Sequence, residues 1–250
     1  LDVSYYELFD EPGDNPTWER MIHYHKFYRE HVPDLRLQNY NVHPLAEKSG
    51  KPPHGLIDLW SPNLAHFNPE MYEAILNRRA EFGEKFWFYV CGPGEHPFID
   101  YTAPYIAPRM VSWMAWHLKA DGFLVFAMLG FALPDNVENH TAISRDTEWS
   151  DHGRWGTGIL IYPGPNYSVI PGIRLSSLRD GLEDYEYLHM VHKRFAYLAP
   201  EKHPDLYRRT QRALSTGPKI IDDPQHSRKS AALHQARRRE AAQVVAQTHT

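Results

Sequence analysis

Short apolar runs, separated by stretches of helical length, restrict the fold of this chain more than any other feature of its sequence. Residues 85–91 (KFWFYVC) and 122–131 (GFLVFAMLGF) are almost continuously apolar, as strands buried on both faces are. Three further runs, at 3–9, 35–42 and 55–60, read as strands, and GILIY at 158–162 reads as one more. Between and after them, residues 16–31, 69–82, 103–120 and 171–198 read as helices. Asn15 and Pro16 suit an N-cap and a first helical position. In the last helix Leu175, Leu178, Leu182, Tyr185, Leu188, Val191, Phe195 and Leu198 recur at spacings of three and four, which predicts one buried stripe. Strands that alternate with helices argue for parallel βαβ units.

A closed (β/α)8 barrel needs eight strands. The sequence opens without Met and directly inside a strand pattern. The expectation is therefore an α/β fold: the C-terminal part of a (β/α)8 TIM-like barrel whose first strands lie upstream. The barrel portion is expected over residues 1–217, with 218–250 a polar, basic tail that forms either a peripheral helix or a mobile end.

Composition narrows the function classes. A net charge of -4 and an isoelectric point near 6.5 leave no electrostatic footprint for nucleic acid. The single cysteine, Cys91, excludes an internal disulfide and any cysteine-based zinc site. The sixteen histidines are scattered and do not gather in a metal-ligand spacing. No apolar run reaches the length of a bilayer span, and the first residues do not form a signal peptide.

The stretch YYELFDEPG at 5–13 is the candidate for chemistry. An aromatic, apolar run ends in two adjacent carboxyls, Asp10 and Glu11, and stops at Pro12. Pro cannot continue a central strand, so the pair falls at a C-terminal strand tip. Parallel α/β folds build their active sites there. A residue before Pro is biased to extended backbone, which predicts an extended Glu11. Two neighbouring carboxyls also disfavour a second negative charge, which suits one of them to acid catalysis.

Three segments, ELFDEP at 7–12, GTGILIYPG at 156–164 and IPGIRLSSLRDGLEDYEYL at 170–188, resemble the catalytic domain of glycoside hydrolase family 123. That resemblance implies a (β/α)8 barrel that removes terminal β-linked N-acetylgalactosamine with retention, with no metal, no cofactor and no nucleophile from the enzyme. The substrate's own 2-acetamido oxygen attacks the anomeric carbon and forms an oxazolinium intermediate. By the family pattern Asp10 orients the acetamido group and Glu11 is the general acid, then base. The implied partner is a glycan or glycoconjugate, with no nucleic acid and no membrane span. A non-catalytic carbohydrate-binding or structural barrel domain is the alternative.

An ordinary retaining glycosidase places two carboxyl groups about 5–5.5 Å apart across the sugar. Adjacent residues on a strand project to opposite sides, so one pair can serve two parts of a ring. Aromatic side chains offer flat platforms for sugar C–H faces, which makes Trp60, Tyr89, Trp149 and Trp155 candidate contacts. Asp58 in GLIDLW is a candidate partner for a sugar hydroxyl. The charged residues of 174–186 stand three and four apart on a helix and read as ion pairs, none of them catalytic.

Overall fold

The computed structural model describes residues 4–11, 15–40, 55–91, 97, 99, 103–128, 159–164, 166, 168–216, 221–223, 226–227 and 231–247. The chain forms two compact units: one is Leu1–Cys91 with Lys119–Val125, the other Gly92–Leu118 with Phe126–Thr250.

The first unit is an α/β layer. Strands β1 (Tyr6–Glu7), β2 (Leu37–Asn39), β3 (Leu59–Trp60), β4 (Lys85–Val90) and β5 (Gly122–Val125) make one sheet in the order β1-β2-β3-β4-β5. Every neighbouring pair is parallel. Helix α1 (Asn15–His31) connects β1 to β2, and α2 (Pro69–Phe82) connects β3 to β4. Sequential parallel order with helical crossovers is the order of strands in a (β/α) barrel, consistent with part of one.

Strand alternation splits the side chains between two faces. Leu37, Asn39, Trp60 and Phe86 share the helix face. Asn39 Nδ2 donates to Met21 Sδ of α1 at 2.7 Å, and Phe86 stacks on Phe67 with centroids 5.6 Å apart. Helix α2 begins where predicted because Asn68 caps it, its side chain accepting from Met71 N–H at 2.9 Å, with Pro69 in the first turn. The opposite face carries Glu7, Gln38, Tyr40, Trp87 and Tyr89. There Trp87 lies over Gly122, where an added Cβ would meet the indole at 2.6 Å, so only glycine fits that register position.

In the second unit, α3 (Ala107–His117) packs on α4 (Ile173–Phe195). Gly181 permits the approach: a Cβ there would sit 2.5 Å from the Arg109 carbonyl oxygen. Arg109 makes a bidentate pair with Asp184, Nε to Oδ2 at 2.5 Å and Nη2 to Oδ1 at 2.8 Å, and the Trp113 indole N–H donates to Oδ2 at 2.9 Å. The α4 stripe therefore differs from its sequence pattern. Leu182 is 48% exposed, whereas Asp184 is 1% exposed and Gly181 is buried. A satisfied ion pair displaced an apolar contact as the seam between the helices.

Helices α5 (Pro204–Leu214) and α6 (Ala231–Gln247) complete this unit. Ala213 of α5 and Ala241, Val244 and Val245 of α6 bury against Val191 of α4. Among the described residues, the run expected as a strand at 158–162 is not part of the five-stranded sheet. Ile161–Pro163 (β6) pairs antiparallel with Val169–Pro171 (β7) as a hairpin, with Gly164 N–H donating to Ser168 O at 2.7 Å. Ile221–Asp223 and His226–Ser227 form a second short antiparallel pair, β8 and β9.

Candidate active site

Strand β1 is only two residues long. Bends at Leu8, Phe9 and Asp10 carry the chain away from its C-terminal end. Asp10 and Glu11 follow there, both exposed. Glu11 has φ 40° and is left-handed rather than extended as expected. Left-handed backbone is strained for a residue with a Cβ, so the turn, and not the preference of a residue before Pro, sets how this carboxyl is presented.

The groups around the pair come from β1 and β2. Glu7 lies opposite Gln38 in the parallel register. Tyr40 follows two residues on, beside the same strand end, and its ring meets Tyr89 of β4 edge-on, centroids 5.7 Å apart. Burial first, then the charges of Asp10 and Glu11, raise the Glu7 carboxyl to about 7. Solvent reaches Glu7 and screens part of that repulsion. Burial and the charges of Glu7 and Asp10 push the Tyr40 hydroxyl up. These shifts tie Glu7, Asp10, Glu11 and Tyr40 into one electrostatic neighbourhood.

Two expected contacts lie elsewhere. Trp60 is fully buried on the helix face, where its indole N–H donates to Glu84 Oε2 at 2.7 Å and the Arg78 guanidinium sits 5.4 Å from its ring centroid. Arg78 in turn holds Glu84 through two bonds of 2.6 Å. A ring enclosed in that way offers no face to a sugar. Asp58 precedes β3. It pairs with Arg29 and accepts from Leu37 N–H at 2.7 Å. It borders a groove of about 660 Å³ with Tyr6, Arg29, Asp34 and Arg36 at the N-terminal ends of β1–β3. That end of a parallel sheet reads as stability, and Asp58 serves as a structural clamp there. Tyr89 keeps its position near the C-terminal end of β4, though it is largely buried. Trp149 and Trp155 lie outside the described residues.

Sequence reasoning passed over Glu7, Gln38 and Tyr40. The signal was period-two alternation: Glu7 stands on the strand whose end carries Asp10, and Gln38 and Tyr40 share one face of β2. Which face looked away from the helices required the register. Among the described residues no group of three or more His, Cys, Asp or Glu side chains could hold a metal ion, and no helix is long and apolar enough to cross a membrane.

The model of the glycoside hydrolase 123 catalytic domain matches residues 1–191. The chain belongs to that family. No curated protein matches it. A solved family 123 glycoside hydrolase from Clostridium perfringens, from a study of glycolipid glycan hydrolysis, matches with a TM-score of 0.53 at 16% identity. The likeness covers 99% of this chain and 40% of that one. At that identity it speaks for the fold, and this family 123 chain spans well under half of that enzyme's length.

Proposed function

We propose that the chain is a retaining glycoside hydrolase domain that cleaves terminal β-linked N-acetylgalactosamine from a glycan by substrate assistance. The observation that carries this reading is the adjacent, solvent-open Asp10–Glu11 pair just past the C-terminal end of β1, within a chain of family 123.

The acetamido oxygen attacks the anomeric carbon as the bond to the leaving oxygen breaks. Glu11 gives its proton to that oxygen. Asp10 accepts the acetamido N–H and stabilises the positive charge of the oxazolinium. Water then attacks the anomeric carbon and gives a proton to the Glu11 carboxylate. The acetamido group re-forms, and two inversions give net retention. Tyr89, Trp149 and Trp155 remain the proposed aromatic contacts. The barrel portion is proposed to end near residue 217.

Asp10→Asn and Glu11→Gln test the assignment on aryl β-N-acetylgalactosaminides. Loss of the Asp10 charge is expected to lower kcat about 10²–10³-fold, the usual size of such an electrostatic contribution. Glu11→Gln is expected to abolish turnover of poor leaving groups and to spare activated ones. Equal losses on both would refute Glu11 as the acid, and a covalent adduct trapped by a 2-fluoro glycoside would refute the substrate-assisted route.

A further inference from the structure

Gln38 is 6% exposed, and its Nε2 has no hydrogen-bond partner. Tyr40 stands two residues on along the same sheet face, and the Gln38 amide pulls the Tyr40 hydroxyl's pKa down against the effect of burial. A buried donor without an acceptor is costly, and a bound ligand group that accepts from it is one way to meet that cost. Gln38 stands directly across from Glu7, one strand spacing away on the same sheet face. An unused amide donor and a carboxyl acceptor therefore share one sheet face, and the carboxyl lies close enough to Asp10 and Glu11 to feel their charges.

The chemistry selects the ligand group. A cation would satisfy Glu7 and leave Gln38 unmet. An anion would accept from Gln38 but face the charges of Asp10 and Glu11. A hydroxyl both donates and accepts, so of these three it is the group that serves the two residues together. We propose that Gln38 and Glu7 form a clamp for one ring hydroxyl of the bound sugar, which makes them specificity-determining residues. This rests on the glycosidase reading above.

The test is a set of kcat/KM values for the intact protein on 4-nitrophenyl β-N-acetylgalactosaminide and its 3-, 4- and 6-deoxy analogues. The variants are Gln38→Leu and Glu7→Ala. Glu7 is exposed, so the second variant stays informative if the first folds poorly. Each variant is expected to lose about ten- to a hundredfold on the parent sugar, the range for a buried hydrogen bond left unmade. For one deoxy analogue, the same for both variants, that penalty is expected to vanish. Losses equal across all analogues, or absent in both variants, while the wild type turns over the parent, would overturn the clamp alone. A wild type that turns over none of the four glycosides would overturn the clamp and the glycosidase reading together.

Discussion

His25 is expected to make the protein acid-labile. It is fully buried on α1, and neither ring nitrogen has a hydrogen-bond partner. Burial first, then the Arg29 charge, lowers its pKa from 6.5 to about 4, against a smaller opposing pull from Asp58. In the unfolded chain the imidazole takes a proton near pH 6.5; in the folded chain it resists until about 4. The unfolded state therefore binds more protons in that window, and stability falls as pH falls through it. Each pH unit removes up to about 1.4 kcal/mol, so the window as a whole carries at most about 3–4 kcal/mol. His25→Phe keeps an aromatic ring of similar breadth and cannot titrate. Urea unfolding of both proteins at pH 7.5, 6, 5 and 4.5, followed by far-UV dichroism, is expected to show the wild type losing stability faster as the pH drops. Glu7 acts in the opposite sense, since a carboxyl raised to about 7 loses its contribution as pH rises from 4.5, but it is common to both proteins and cancels in the difference. Parallel pH dependences for wild type and His25→Phe would refute the argument.

Trp60→Phe is expected to destabilise by about 1.5–3 kcal/mol, the value of a hydrogen bond to a charged group, and to leave KM unchanged; a raised KM without a lower melting temperature would return Trp60 to the sugar site. Asp184→Asn is expected to cost about 3–5 kcal/mol, because it leaves Arg109 buried without its counter-charge; a melting temperature within a degree of wild type would show that the α3–α4 seam does not depend on this pair.

The alternation of strands and helices was legible in the sequence because it is a local periodic signal. Runs such as 85–91 and the capped helix at 69–82 carry their own instructions within a dozen residues, and Lys85–Val90 and Pro69–Phe82 form there. The Asp10–Glu11 pair was visible for the same reason, since a carboxyl doublet between an aromatic strand and Pro12 is contiguous in the chain. What depended on distant partners was not legible. GILIY has the composition of a parallel strand, but its Ile161 and Tyr162 pair antiparallel with Pro171 and Ile170 in a hairpin. Trp60 and Asp58 look like ligand groups until Glu84, 24 residues on, and Arg29, 29 residues back, claim them. Asp184 reads as a surface charge until Arg109, 75 residues away, draws it into the core. Gln38 and Glu7 become neighbours only through the β1–β2 register. Local periodicity decides which elements form; the pairing of buried polar groups across long sequence separations decides which side chains remain free for chemistry, because each such group must find a partner somewhere in the folded molecule.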